Sequence, residues 1–334
     1  MIEKVLERIN LLLKQANFET LSLDNFSTKK NKFCFDILVK KQDIIFSIKV
    51  FPNIDNLNQD ILHDMKSLSL LLKSKPLLIG IRNRYQKLED NAIYIRDDLP
   101  FITVKTLENI LNNKYPYILA RRGGGVLFLN GDTVKKLRAK QNISRQELAN
   151  KIGVSKRTIC SYENENMRPS EKIAERMVEI LEDDSIFKKI NVFEWNFKLS
   201  RDVMTNSEDC ELSPFETHIY EVIKDIGISS YWYKKGPLPF KCSIYSEKIE
   251  FKNKNDFYPL FSGISDERKK INELNIKCLK EFNNLFKKQA LFIINNDIKI
   301  PYSEKDKIPI VKIKDLEKID DEDQFIELIQ ESKQ

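Results

Sequence analysis

The sequence predicts a mixed architecture, α/β plus all-α, in which a small helical bundle sits between two similar α/β layers. Three observations carry this. Strand-like runs of β-branched and aromatic residues alternate with helical patterns at both ends of the chain. Between them lies a segment whose apolar residues recur only at helical spacing. The two ends also close on similar stretches, KPLLIGIRN followed by LPFITVKTLENI and QALFIINND followed by IPIVKIKDLEKI.

With 334 residues, the chain is long enough for two or three domains, each with its own core. A hydrophobic fraction of 41% describes a folded chain, and 32% charged residues with a mean hydropathy of -0.43 describe a soluble one. No run approaches the roughly 18 uninterrupted apolar residues of a membrane span, and MIEKVLERINLLLKQ interleaves charges in an amphipathic pattern unlike a signal peptide. A cytoplasmic protein without membrane contact is expected. Cys34, Cys160, Cys210, Cys242 and Cys278 are scattered without a C-x-x-C pair, and His63 and His218 supply little more, so no metal site is expected and the cysteines read as small buried residues. A net charge of +6 permits a nucleic-acid partner without requiring one.

The first layer, residues 1–120, opens with a helix from Ile2 to Gln15 carrying Val5, Ile9, Leu12 and Leu13 on one face. Two strands follow, Lys32–Val39 and Asp43–Phe51, then a helix from Asn58 to Lys73. Strands at 76–81, 93–95 and 101–104 and a helix that Thr106 can cap complete it. The stretch YILARRGGGVLFLNGD, with three glycines in a row and an Asn130-Gly131 turn, marks a boundary. The central part spans 121–190. Beyond a mixed polar stretch, residues 200–334 repeat the first plan: a helix opened by Ser213-Pro214, strands near 231–234 and 240–251, a helix over 267–286, a buried strand, and a terminal helix that Asp315 can cap.

The central segment carries the chemistry. Its first helix runs from Thr133 to Lys140 with Val134, Leu137 and Ala139 inward. Ser144-Arg145-Gln146-Glu147 is a capping box, in which the serine hydroxyl and the glutamate satisfy backbone donors at a helix start. Leu148, Ala149 and Ile152 form the buried face of that second helix, and Gly153 ends it where the chain must adopt a left-handed conformation. Val154 plugs the turn, Ser155 caps a third helix, and Ile159 with Tyr162 faces the core, leaving Lys156, Arg157, Thr158 and Ser161 outward. Long cations can address guanine O6 and N7 in a major groove, and a threonine methyl can meet thymine. Arg145 and Asn164 are assigned to phosphates. Residues 132–168 hold nine basic residues against four acidic ones, so the positive charge gathers where duplex DNA would lie.

These residues resemble the Cro/C1 repressor type of helix-turn-helix (HTH) in the capping serine, Glu147-Leu148-Ala149, Gly153-Val154-Ser155, Ile159, Tyr162-Glu163-Asn164 and Pro169. Over nearly the whole chain, NIDNL at 53–57, an RRGG stretch, GVSKRTICSYE and a C-terminal α/β part look like an archaeal family of HTH-type transcriptional regulators. The resemblance implies double-stranded DNA binding and regulation, with homodimers reading paired half-sites; it supplies neither a target gene nor an effector. The first layer also resembles the restriction-endonuclease fold, where an aspartate and an E-x-K on the next strand hold Mg²⁺. Here Asp36 and Lys49 stand in place, but Ser47 occupies the position of the second carboxylate. In the third part Glu250 and Lys252 spell E-x-K on a lysine-rich strand. No catalytic residue, cofactor or metal is expected, and the chain is read as a regulator and not an enzyme. The alternatives are a nuclease targeted by its HTH and a coactivator that bridges transcription proteins. The run Tyr231-Trp232-Tyr233-Lys234-Lys235 is read as an aromatic strand rather than a base-stacking platform, and IPIVKIK at 308–314 as a half-buried strand.

Overall fold

The amphipathic start of the chain folds as α1 (Ile2–Gln15), burying Leu6, Ile9, Leu12 and Leu13. It opens a computed structural model that describes residues 2–22, 34–121, 124–195, 211–234, 239–246, 257–266, 273–298 and 308–332. Then come β1 (Glu19–Ser22), β2 (Ile37–Lys41), β3 (Ile44–Asn53), α2 (Gln59–Leu72), β4 (Lys75–Arg82), β5 (Ala92–Arg96), β6 (Leu99–Ile102) and α3 (Val104–Leu111). Strands β7 (Ile118–Arg121) and β8 (Gly124–Leu127) lead into the helices α4 (Gly131–Lys140), α5 (Arg145–Ile152), α6 (Lys156–Glu163) and α7 (Glu171–Leu181). The last part holds α8 (Pro214–Asp225), β9 (Ser229–Trp232), β10 (Cys242–Tyr245), β11 (Leu260–Ser265), α9 (Glu273–Phe286), β12 (Ala290–Ile294), β13 (Ile310–Lys312), α10 (Ile313–Leu316) and α11 (Glu322–Glu331). Among the described residues no helix is long and apolar enough to cross a membrane.

Two compact units divide these elements. One comprises residues 1–12, 50–56 and 77–197, the other 13–49, 57–76 and 198–334. In the first, strands run in the order β3-β4-β6-β5-β7-β8, with β4 parallel to β6 and β7 antiparallel to β8. Strands β7 and β8, from either side of the glycine-rich stretch, thus pair with each other at the sheet edge, and the chain leaves the sheet after Leu127. The segment NIDNL has a structural duty here: Ile54 is fully buried, and the Asp55 carboxylate accepts Arg96 Nε at 2.8 Å and the Arg84 amide at 2.7 Å.

In the second unit β1, β2 and β3 are antiparallel neighbours, and a separate sheet runs β13-β12-β11-β10-β9. The expected repeat is visible in its plan. A helix, three antiparallel strands, a crossover helix and two further strands recur, with β12 parallel to β11 and β13 parallel to β12. Its core gathers Ile219, Ile223, Trp232, Leu291, Ile293 and Phe325.

Three local expectations need correction. Thr106 is not the cap of α3: Thr103 is, its hydroxyl accepting the Thr106 amide at 3.1 Å. Asp315 lies inside α10, which starts at Ile313 because the strand ends at Lys312, and α11 is capped by Asp321. The aromatic strand holds as expected, with Tyr231, Trp232 and Tyr233 no more than 2% exposed, while Lys235 lies outside the described residues, as does Cys210.

Candidate nucleic-acid interface

Local signals set the starts of α4, α5 and α6 and the end of α5 in the central bundle. Asn130 caps α4 through the Thr133 amide at 3.1 Å. Ser144 and Glu147 form the reciprocal box of α5, the hydroxyl accepting the Glu147 amide at 3.2 Å and the carboxylate accepting the Ser144 amide at 2.7 Å. The backbone donors at the α5 start hold the Glu147 carboxyl below its usual range. Gly153 ends α5 at φ 79°, and Ser155 starts α6 by accepting the Thr158 amide at 3.1 Å. Val134, Leu148, Ala149, Ile152, Ile159 and Tyr162 pack into one core with Met177 and Leu181 of α7. Ala139, expected inside, is exposed, because five residues along an α-helix carry it about 140° round from the buried Val134.

Helix α4 can begin there only because residue 131 is glycine. A Cβ would lie 2.1 Å from the Glu163 carbonyl oxygen at the end of α6. Gly131→Ala must push α4 and α6 apart, and its expected cost is about 1–3 kcal/mol, seen as a lowered Tm with the double-stranded DNA affinity reduced in step.

Of the residues assigned to DNA, Lys156 and Arg157 stand exposed on the first turn of α6, with Thr158 and Ser161 half-buried along the same helix. The Thr158 hydroxyl lies 2.8 Å from the Ser155 hydroxyl. Asn164 is exposed just past α6, its Nδ2 donating to Cys160 Sγ at 3.4 Å. Arg145 is differently placed: its Nε donates to Glu163 at 2.6 Å, and this partner raises the guanidinium above its usual range. Glu163 was not picked out by the sequence as a site residue, although two arginines converge on it.

The bundle is stitched to its sheet. The Leu127 amide donates to the Pro169 carbonyl at 3.2 Å, the Asn130 amide to Ile186 at 2.7 Å, and the Lys188 amide to Phe128 at 2.6 Å. Phe187 stacks on Tyr117 with ring centroids 4.7 Å apart, and Arg168 covers Phe128 at 3.9 Å.

A second polar cluster occupies β2, β3 and α2. Lys49 Nζ donates to Asp36 Oδ1 at 2.8 Å, with Lys49 2% and Asp36 7% exposed. Ser47 faces Leu38 across the strand pair, fully buried, its hydroxyl without a hydrogen-bond partner among the described residues. Asp64 on α2 is also fully buried, and its Oδ1 accepts the Tyr231 hydroxyl at 3.0 Å and the Lys234 amide at 3.2 Å. His63 Nδ1 lies 2.8 Å from that hydroxyl. Because the tyrosine donates to Asp64, Nδ1 carries a proton, and burial lowers the imidazole pKa. Burial pushes the Tyr231 hydroxyl and the Cys34 thiol up, with Asp64 adding to both.

For the Mg²⁺ that this fold family implies, a first shell needs several carboxylate or carbonyl oxygens. Among the described residues no group of three His, Cys, Asp or Glu side chains could hold a metal ion, and Asp64 is spoken for by tyrosine and amide donors. On this strand pair Asp36, held by Lys49, is the carboxylate such a shell would use, while Ser47 stands at the position of the second. In the second sheet, matching β10 and β11 to β2 and β3 by strand pairing puts Lys241, Phe261 and Gly263 where Asp36, Ser47 and Lys49 stand. Glu250 and Lys252 lie outside the described residues.

Comparison with known proteins agrees with both halves of this geometry. Residues 2–116 match the PD-(D/E)XK superfamily domain and residues 134–182 the helix-turn-helix. A Methanobrevibacter smithii protein, provisionally named an HTH-type transcriptional regulatory protein, is 30% identical over 337 residues, covering 99% of this chain and 97% of its own. The chain belongs to this archaeal family of HTH-type transcriptional regulatory proteins. Other members include a Methanococcus vannielii protein at 29% identity, covering 100% of this chain and 98% of its own, and a Thermococcus kodakarensis protein at 26%, covering 99% and 96%. The same comparison corrects one expectation. PD-(D/E)XK is a nuclease fold, so the reading of an HTH regulator that is not an enzyme does not stand, and catalysis becomes a matter for assay.

Proposed function

We propose that this HTH regulator binds double-stranded DNA sequence-specifically in the cytoplasm, through a Cro/C1-type motif whose α6 enters the major groove. The exposed Lys156-Arg157 pair on the first turn of α6 is the observation that supports this most directly. Thr158, Ser161, Arg145 and Asn164 extend the contact surface to bases and phosphates. The chain is read in three parts, 1–120, 121–190 and 200–334, with the outer two serving dimerisation, sensing or partner docking. One motif reads one half-site, so the working species is a homodimer on paired sites about one helical turn apart. Selection from random duplexes by the purified chain tests this. A recovered palindrome supports the reading, whereas salt-sensitive binding without any motif defeats it and favours a bridging coactivator.

The PD-(D/E)XK match and the Asp36–Lys49 pair support a second reading, DNA processing directed by the HTH. Incubation with duplex and branched DNA in Mg²⁺ or Mn²⁺ decides it. Cleavage abolished by Asp36→Asn is the result this reading requires, and intact substrate, or cleavage indifferent to that change, sinks it.

A further inference from the structure

Glu163 ends α6 with its side chain 1% exposed, and both carboxylate oxygens are occupied. Oε1 accepts Arg138 Nε of α4 at 2.6 Å and Oε2 accepts Arg145 Nε of α5 at 2.6 Å. The two guanidinium groups have different fates. Arg138 is 13% exposed and also donates Nη1 to the Ile143 carbonyl at 2.8 Å, within the α4–α5 connection. Arg145 keeps 35% of its side chain exposed and stands at the first position of α5. A cation there opposes the positive end of the helix, so its pairing with Glu163 is what holds it in place. Two cations on one carboxylate leave the cluster positive.

A guanidinium gripped on its Nε edge still has Nη donors for another anion, because its five N–H groups lie in a rigid plane. Holding it in advance reduces the side-chain entropy lost on binding. We infer that Glu163 is a positioning residue that holds Arg145 by Nε so that its remaining donors meet one backbone phosphate of the duplex. The inference rests on the DNA-readout function proposed above. It makes Arg145 a prearranged contact, and Arg138 the brace that fixes the other side of the same carboxylate.

A double-mutant cycle on the full chain tests it, with affinity for the selected duplex measured from about 50 to 200 mM salt. Glu163→Gln and Arg145→Ala should each weaken binding about tenfold. Each should flatten the dependence of log Kd on log salt by about 0.9, the share of one phosphate. The double variant should bind no more weakly than Arg145→Ala alone. A merely structural Glu163 would lower the Tm yet leave the salt slope of the folded protein unchanged. That outcome, or losses that add in the double variant, overturns the inference. Where Glu163→Gln does not fold, Glu163→Asp, which keeps the charge but shortens the reach, takes its place under the same criteria. Absence of any selected duplex for the unaltered chain instead defeats the DNA-readout function itself, which separates the two failures.

Discussion

Asp36→Ala should cost about 3–5 kcal/mol of stability, because it leaves the Lys49 ammonium buried without its carboxylate. Lys49 is 2% exposed on β3 between Ile48 and Val50, themselves 1% and 2% exposed, so water has little access to the abandoned charge. Urea denaturation followed by tryptophan fluorescence and far-UV circular dichroism would show the midpoint falling. The paired change Asp36→Leu with Lys49→Met should recover most of the loss, since two apolar side chains of similar volume need no counter-charge. A loss below about 1 kcal/mol for Asp36→Ala would mean that the ammonium reaches solvent by local opening of the strands. That result would also make the pair more accessible to a substrate.

Lys156→Ala combined with Arg157→Ala should reduce affinity for the selected duplex by about 2–6 kcal/mol, taking about 1–3 kcal/mol for each good base contact. The low end already corresponds to roughly 30-fold. Both side chains are exposed, so the variant should unfold at an unchanged temperature. Titration of fluorescent duplexes would separate readout from charge. A larger loss for the selected duplex than for a scrambled one assigns the pair to base recognition, and equal losses relegate it to phosphate neutralisation.

The HTH was legible because its signals are local. Ser144, Gly153 and Ser155 each fix a boundary through bonds spanning a few residues, and all three sit where the sequence pattern puts them. Helix α1 and strands β3 and β4 were legible from periodicity. Strands β1, β7 and β8 were missed, being four residues each and rich in Glu, Ser, Arg or Gly, with pairing supplied by distant neighbours. The clamp at Glu163 joins residues 25 and 18 positions away, and the Tyr231–Asp64 bond joins residues 167 apart, so neither leaves a local trace. Ser47 was legible as a departure from the nuclease pattern. The inference from it to a chain without catalysis went further than one missing carboxylate allows, as the PD-(D/E)XK match shows.

The bonds from Leu127, Asn130 and Lys188 bear on how a signal could travel. A reader hung on a loose tether can be regulated only by changing its local concentration or by covering it. Here the backbone ladder that closes the sheet edge also runs directly into the residues that open α4 and α7. A shift of β8 by a single residue would exchange the faces of its side chains and displace those bonds together. The bundle that carries α6 is thereby coupled to strand register, a variable that has discrete values.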